Sequence, residues 1–363
     1  MKKNSGILAT AENRAFQIEE LISKGIFPNV DTYYGFPWPD IPKLNTPISP
    51  KKNLKLFLNR KECCWIPSLI NDINWIYPDI VPDCFACKME GGIDSFGVEW
   101  VQTHPELFLP SFVKPGNPKL KNIKDWETLE LPDVESWNWI ESSIKFKEGL
   151  DDDRINIGVM LSGFFERLIA LMDFQYAAIA LVKYPESVKA LFDKIADYNI
   201  SLMEHYVKYH HIEMVILHDD WAAQRSPFFR KKTLQTVILP YYKRVTDRAH
   251  ELGLTFIGHC CGNAESFVPD MIETGIDIWQ LQIDANPNIL ETIEKYGDSI
   301  MFDIYFKVPS QTSLEDFRII AEEKFNTYLA GKNVTYAFGD ENFVIYPEWV
   351  SIGYEFARKT AIK

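Results

Sequence analysis

The feature that most constrains the fold is a regular alternation of strand-like and helix-like segments that begins near residue 153. Six short runs rich in β-branched residues follow one another, and amphipathic stretches separate them. This alternation is typical of repeated βα units around a parallel sheet. The predicted strands are "RINIGVML" (154–161), "EMVILHD" (213–219), "LTFIGHC" (254–260), "DIWQLQI" (277–283), "SIMFDIYF" (299–306) and "VTYAFGD" (334–340).

Two of the intervening segments have recognisable helix boundaries. In residues 228–253, apolar side chains recur at helical spacing, Gly253 is predicted as the C-terminal cap, and Pro240 is expected to kink the helix. A second helix is predicted to begin at Ser313 and to end at Gly331. The C-terminal half therefore contains complete βα units.

The first 150 residues differ from this pattern. They contain frequent Pro, Trp and Asn with short apolar pieces, and neither a low-complexity linker nor an internal repeat separates them from the rest. We predict one domain over residues 1–363, in which 1–150 form an N-terminal layer with the first barrel elements and 151–363 form the regular βα units.

Composition excludes several classes of partner. The net charge of −13 disfavours binding to nucleic acid or to an anionic membrane, because such ligands require a basic patch. No segment has the roughly 18 apolar residues of a membrane span, and the first 25 residues lack the apolar run of a signal peptide. We expect a cytoplasmic protein that acts on a small molecule or another protein.

Polar residues cluster where three of the predicted strands end. These clusters are "HDD" at 218–220, "GHCCGN" at 258–263 and "FGDEN" at 338–342. Because the carboxyl ends of parallel strands meet at one edge of a barrel or an open sheet, the three clusters are expected to share one rim.

The "GHCCGN" cluster has the residue types of a metal site. Side chains alternate along a strand, so His259 and Cys261 should face one way and Cys260 the other. An imidazole and a thiolate suit zinc, which needs three protein ligands when it is catalytic. Alternatively, His259 is an interior histidine and the cysteines are small apolar residues. Four rim residues offer a further oxygen ligand: Asp219, Asp220, Asp340 and Glu341.

Other candidate groups carry weaker signals. Cys84 and Cys87 form a C-x-x-C pair, but only the adjacent Cys63 and Cys64 could complete a structural zinc site, so packing is the preferred interpretation. Glu166 either is a rim carboxylate or occupies the first turn of a helix, where the helix dipole favours an acid.

The run from "HDDWAAQR" to "DIWQLQ" (218–282) resembles the uroporphyrinogen decarboxylase superfamily, particularly its zinc-dependent corrinoid methyltransferase branch. "GGIDSFGVEW" (91–100) and "GFFERLIALMDFQYAAIALVKYPESV" (163–188) resemble earlier blocks of that superfamily. The resemblance implies a single TIM (β/α)8 barrel, here with an irregular N-terminal extension, and a cleft at the carboxyl ends of its strands.

Two activities are known in the superfamily, and the N-terminal region separates them. The decarboxylase branch carries an arginine-rich segment that suits a substrate with eight carboxylates, whereas this chain has "TYYGFPWPDIP" (32–42). Cofactor-independent decarboxylation is therefore the second hypothesis. A catalytically silent barrel or a binding protein is the third.

The methyltransferase branch uses His-x-Cys and a distant cysteine as zinc ligands, and this chain departs from that set. His259 and Cys261 match, but no cysteine follows, so Asp340 or Glu341 substitutes or the metal is lost. One thiolate leaves a harder metal, which suits polarising an ether. We predict an O-demethylase type of system that moves a methyl group from a small substrate, such as a methoxylated aromatic, to the corrinoid (cobalamin) of a partner protein.

This hypothesis assigns roles to other residues at the rim. Asp219, Asp220 or Glu166 is expected to protonate the leaving group or to orient the ligands. Gln224 and Asn263 are expected to make polar contacts with the substrate.

Overall fold

The computed structural model describes residues 15–27, 41–78, 80–82, 91–102, 111–147 and 149–361. The strands are β1 Ser23–Phe27, β2 Ile41–Leu44, β3 Ile73–Ile76, β4 Gly92–Ile93, β5 Glu99–Val101, β6 Phe112–Val113, β7 Ile155–Met160, β8 Met214–His218, β9 Thr255–Cys260, β10 Ile278–Leu281, β11 Met301–Lys307 and β12 Val334–Gly339. The helices are α1 Pro50–Leu58, α2 Trp139–Lys147, α3 Phe164–Met172, α4 Phe174–Lys183, α5 Pro185–His210, α6 Lys231–Thr233, α7 Leu239–Glu251, α8 Val268–Thr274, α9 Ile289–Tyr296, α10 Leu314–Lys324 and α11 Pro347–Ala361.

Seven parallel strands form the central sheet. Their order is β3-β7-β8-β9-β10-β11-β12, so neighbours in the sheet are also consecutive in the regular part of the chain. Beyond β12, a parallel bridge joins Tyr336 to Ser68, which precedes β3 in the sequence. This confirms the predicted α/β fold of the TIM-barrel type, with the contact at the β12 edge reduced to one bridge in the described chain.

All six strands predicted in the C-terminal half are present, with boundaries shifted by at most a few residues. They form because helices cover the outer face of the sheet and its inner face lines the barrel interior. Residues are therefore buried on both sides, and the strands read as nearly continuous apolar runs. In β12 every residue is buried.

The predicted helix boundaries are also observed. Gly253 has the left-handed φ of +76° expected of a C-terminal cap, and Ser313 Oγ accepts a hydrogen bond from the Asp316 amide at 3.1 Å. A π-helical turn at Leu234–Ile238 precedes Pro240 and joins α6 to α7, which accommodates the missing proline N–H. No helix in the described part of the chain has both the length and the apolar character that crossing a membrane requires.

The N-terminal layer is irregular, as predicted. It contains the antiparallel pair β1–β2, the small antiparallel sheet β4–β5–β6 and several short 3₁₀ turns. A buried ion pair connects its start to the last helix: Arg358 Nε donates to Glu20 Oε2 at 2.7 Å, and the Tyr354 hydroxyl donates to the same oxygen at 2.6 Å. Assignment of the whole chain to one domain stays a prediction.

Candidate functional site

A layer of polar side chains crosses the inside of the sheet. Strand register places His218, His259, Gln280, Asp303 and Thr335 side by side, one on each of the five consecutive strands β8 to β12. We call these five residues the polar belt. Interior layers of such barrels are normally filled by bulky apolar residues, and buried polar groups are costly unless they are hydrogen-bonded. A polar layer at this height therefore marks a candidate site.

Hydrogen bonds link four members of the polar belt. His259 Nδ1 donates to Gln280 Oε1 at 2.7 Å, and Gln280 Nε2 donates to Asp303 Oδ2 at 2.8 Å. The Thr335 hydroxyl donates to the other oxygen of Asp303 at 2.6 Å. The His259 ring is therefore held in one orientation by a chain that extends across three further strands.

The fifth member, His218, is bound by Glu166 in the first turn of α3. Its Nδ1 donates to Glu166 Oε2 at 2.8 Å, and its ring stacks on His259 with 3.9 Å between centroids. Burial lowers the pKa of His218, but the charge and hydrogen bond of Glu166 outweigh this effect and raise it to about 9. Burial and the charge of His218 lower the pKa of His259 to about 3. At neutral pH one ring is therefore cationic and the other neutral.

Cys261 and Asp220 meet His259 at the carboxyl end of the barrel. Cys261 Sγ lies 3.2 Å from His259 Nε2, and Asp220 Oδ1 lies 3.8 Å from the same nitrogen. The Cys261 amide donates to Asp220 Oδ1 at 2.6 Å, which ties the two loops together. The next residue, Gly262, has φ +77°, and a Cβ there would lie 2.2 Å from the Ala222 carbonyl oxygen, so a larger residue would not fit this turn.

The donor atoms in this region fit a zinc ion. Within the residues the structure describes, a group of three potential ligands, His218, Asp220 and His259, offers one atom each within 4.8 Å of one another. Cys261 Sγ is not a member of this group, but it lies 3.2 Å from His259 Nε2, the nitrogen left without a proton by the Gln280 contact. Imidazole nitrogen, cysteine sulfur and carboxylate oxygen are donor types that zinc takes in catalytic sites.

Comparison with known proteins places the chain in a family. The model of the uroporphyrinogen decarboxylase (URO-D) family matches residues 107–302, more than half of the chain. The chain belongs to the uroporphyrinogen decarboxylase family. This confirms the superfamily predicted from the sequence, and no curated protein matches the chain closely enough to narrow it further.

Solved structures agree with this family assignment in fold. A methyltransferase from Methanosarcina mazei is similar with a TM-score of 0.62 and 13% sequence identity, over 86% of this chain and 98% of that one. A glycosylated endo-β-1,4-xylanase from Gloeophyllum trabeum aligns with a TM-score of 0.40 and 11% identity, over 62% and 82% of the two chains. At such identities the first likeness shows the fold alone, and the second carries no argument.

Asp219 is one of the acids predicted at the rim. In this uroporphyrinogen decarboxylase family member it stabilises the start of α3. Its carboxylate accepts the backbone amides of residues 164, 165 and 166, at the start of α3, and the indole N–H of Trp221. It is fully buried, and burial together with the Glu166 charge raises its pKa to about 7. The structure therefore places Asp219 as the N-terminal anchor of the helix that carries Glu166.

The two acids predicted on the last strand are not brought to His259. Asp340 Oδ1 accepts the amides of Asn342 and Val344 at 2.8 Å, and its Oδ2 accepts the Tyr346 hydroxyl at 3.0 Å. Glu341 is exposed and accepts the amide and hydroxyl of Ser310 at 2.8 and 2.9 Å. Both carboxylates therefore accept their hydrogen bonds from the loops after β11 and β12.

The predicted substrate contacts lie on the loops around Cys261. Gln224 is exposed, donates to the Asp284 carbonyl at 3.2 Å and accepts from Gln282 Nε2 at 3.1 Å. Asn263 is half-buried, and its amide donates to the Ala223 carbonyl at 2.9 Å. Their roles toward a substrate stay predictions.

Among the residues that the structure describes, the contacts of the other three cysteines lie away from His259. Cys84 and Cys87 lie outside the described residues. Cys64 is buried beside Asn53, whose side chain accepts its amide, and Cys63 is half-buried next to it. Cys260 points away from His259, as strand alternation predicts, and its sulfur accepts the Trp221 amide at 3.2 Å.

The sequence analysis assigned no role to four members of the polar belt: His218, which it placed at the rim in "HDD", and Gln280, Asp303 and Thr335. Each is a polar residue within a strand that is otherwise almost entirely buried and apolar. This interruption is visible in "DIWQLQI" and "SIMFDIYF". Only the register between strands shows that the four residues lie at one height.

Proposed function

We propose that this chain is a zinc-dependent methyltransferase that moves a methyl group from a small substrate to the cobalt of a corrinoid held by a partner protein. The observation that carries the proposal is the 3.2 Å approach of Cys261 Sγ to His259 Nε2 at the carboxyl rim of the barrel. The proposal agrees with the family match and with a fold shared with a methyltransferase from Methanosarcina mazei.

His259, Cys261 and Asp220 are the proposed zinc ligands. Asp220 replaces Asp340 and Glu341 in this role because its Oδ1 lies 3.8 Å from His259 Nε2, whereas the carboxylates of the last strand are engaged elsewhere. When bound, zinc supplies Lewis acidity toward the heteroatom that carries the methyl group. A single thiolate among the ligands preserves this acidity better than two would.

Glu166 and His218 form the proposed proton-donating pair. Glu166 fixes the His218 ring through Nδ1, and the ring stacks on His259, which places it at the site. A proton delivered from His218 would neutralise the oxygen that leaves when the methyl group departs. Asp219 is unsuited to this task because its carboxylate already accepts three amides at the start of α3 and the Trp221 indole N–H.

A methoxylated aromatic compound is the proposed methyl donor. Its ether oxygen is a weak leaving group, so its departure requires both an electrophile and a proton donor at one point, which the proposed zinc and His218 would supply. Gln224 and Asn263 flank the Cys261 loop and are the proposed polar contacts of the donor. We further propose that the protein acts in the cytoplasm, where the corrinoid partner would meet this rim.

Metal content tests the proposal directly. Protein purified without an affinity metal is analysed by inductively coupled plasma mass spectrometry as wild type, Cys261→Ser and, as the matched control, Cys63→Ser. We expect about one zinc per chain in wild type and control, and a loss in Cys261→Ser. Absence of zinc from the wild type, or its full retention in Cys261→Ser, would contradict the proposed site.

Activity tests the direction of transfer. The zinc-loaded protein is incubated with a reduced corrinoid protein and a series of methoxylated aromatics, and methylation of cobalt is followed by absorbance. Methyl transfer to thiols alone would overturn the proposed direction.

Decarboxylation is a second candidate because the matching family model describes uroporphyrinogen decarboxylase. That activity needs no metal. Decarboxylation of uroporphyrinogen by a zinc-free preparation, unaffected by Cys261→Ser, would favour it over methyl transfer.

A further inference from the structure

The polar belt contains a carboxylate whose surroundings are unusual. Asp303 is 4% exposed and lies in the middle of β11. Within the described residues, its two oxygens accept hydrogen bonds from Thr335 and Gln280 and from no cationic side chain. A buried carboxylate without a cation is costly, and the two hydrogen bonds that it accepts offset part of this cost.

Asp303 fixes the orientation of its neighbour. A carboxylate can only accept hydrogen bonds, so the amide of Gln280 must turn its NH₂ group toward Asp303, as the 2.8 Å contact shows. The carbonyl oxygen of Gln280 then points in the opposite direction, at His259 Nδ1. An asparagine at residue 303 could donate as well as accept and would permit either orientation.

The orientation of Gln280 in turn fixes the tautomer of His259. A carbonyl oxygen accepts only, so Nδ1 of the imidazole carries the proton, and Nε2 keeps its lone pair directed toward Cys261. Reversal of the amide would place an NH₂ group against Nδ1 and move the proton to Nε2. That proton would then occupy the position of a bound cation.

We propose that Asp303 and Gln280 are positioning residues that hold His259 in the Nδ1–H tautomer, so that Nε2 is ready to bind a metal. The order of strands supports this role, because the three residues lie in register on β9, β10 and β11. His259 donates to Gln280 and Gln280 donates to Asp303, while Thr335 donates to Asp303 from the other side. The statement that Nε2 binds a metal rests on the proposed function. The statement that His259 is in the Nδ1–H tautomer does not.

The experiment reads the tautomer without metal. Protein with ¹⁵N-labelled histidine is stripped of metal, and long-range ¹H–¹⁵N NMR spectra are recorded for wild type, Asp303→Asn and Gln280→Met. The control is Gln235→Met, the same chemical change at a residue on the outer helical layer that bonds to Asp270. Signals of His259 are assigned from their loss in His259→Gln, and circular dichroism confirms that each variant is folded.

We expect pure Nδ1–H in wild type and in the control. Asp303→Asn should introduce the Nε2–H form, and Gln280→Met should make it predominate. A structural role alone would not move the tautomer in Asp303→Asn, because asparagine has nearly the same shape as aspartate. The proposal is overturned if wild type carries its proton on Nε2, or if both belt variants keep pure Nδ1–H.

Zinc titration of the same proteins separates this proposal from the proposed function. Gln280→Met removes the residue that orients a proposed zinc ligand, and should weaken zinc binding roughly 10- to 100-fold. Zinc binding should not change in the control. If the tautomer responds as expected but even the wild type binds no zinc, the proposed function fails while the positioning role stands. If zinc binds equally to all variants, the role in metal binding is refuted.

Discussion

The loops after β8 and β12 each begin with two acids, yet the structure uses the two pairs differently. In both loops the first acid, Asp219 or Asp340, is buried and binds backbone amides. The second acids diverge: Asp220 faces His259 and the Cys261 amide, whereas Glu341 is exposed and bonds to Ser310. A carboxylate at the rim therefore gains a role in the site from its neighbours and not from its position alone.

The position of each strand in the sheet explains the difference. Strand β8 lies between β7 and β9, so the loop that follows it meets α3 on one side and the "GHCCGN" loop on the other. Strand β12 lies at the end of the sheet order, and its second acid finds its partner in the loop after β11. Four experiments can break or sharpen this comparison.

The largest effect is expected for Asp219→Ala. The change leaves four hydrogen-bond donors without an acceptor, three of them buried, and we expect the free energy of unfolding to fall by about 4 kcal/mol. Denaturant unfolding followed by circular dichroism measures this loss. Asp219→Asn, which keeps one carbonyl oxygen, should lose less. A decrease below about 1 kcal/mol in Asp219→Ala would show that the start of α3 does not depend on this carboxylate.

The second effect is the difference between Asp220 and Glu341 in zinc binding. Asp220→Ala should lower zinc affinity by more than about 100-fold, since it removes a proposed ligand, while Glu341→Ala should leave affinity unchanged. Competition with a chromophoric chelator gives both dissociation constants. The reverse pattern would restore the ligand set expected from the sequence alone.

A smaller effect is expected for Asp340→Asn. The amide keeps one acceptor oxygen but cannot replace all three contacts of the carboxylate, so unfolding free energy should fall by about 1 to 2 kcal/mol. Zinc affinity should not change. Thermal and denaturant unfolding, together with the chelator competition, measure the two properties, and a parallel loss of zinc would place Asp340 in the site.

The smallest effect concerns titration of Glu341. Hydrogen bonds from its own backbone amide and from Ser310 lower its pKa below the ordinary value of 4.5. The stabilisation is therefore present above pH 4.5 and is lost as pH falls through the lowered pKa. Ser310→Ala should raise this pKa toward 4.5, as followed by ¹³C NMR of the carboxyl group. An unchanged pKa would show that the Ser310 hydroxyl does not stabilise the carboxylate.

The amino-acid sequence was sufficient to predict the main strands and several helix boundaries. The six strands, the cap at Gly253 and the helix start at Ser313 follow from local patterns, because burial on both faces and capping are decided within a few residues. Strand alternation also placed His259 and Cys261 on one side and Cys260 on the other.

What sequence could not give depends on distances between segments. The partnership of His218 with Glu166 spans 52 residues, and that of Asp303 with Thr335 spans 32. The neighbouring sequence could not decide whether Glu166 is a first-turn acid or a residue of the site, because it is both: it lies in the first turn of α3 and binds His218. The choice between Asp220 and Asp340 likewise needed the arrangement of the loops, since both follow buried strands.

The polar belt also has a consequence for how the sheet assembles. Successive side chains of a strand point to opposite faces, so a slip of one residue in any of the five strands would turn its polar member toward the apolar helical layer and leave the partner unsatisfied. Misaligned pairings of β8 to β12 are thereby made unfavourable during folding. The polar belt therefore favours the correct strand register as well as forming the candidate site.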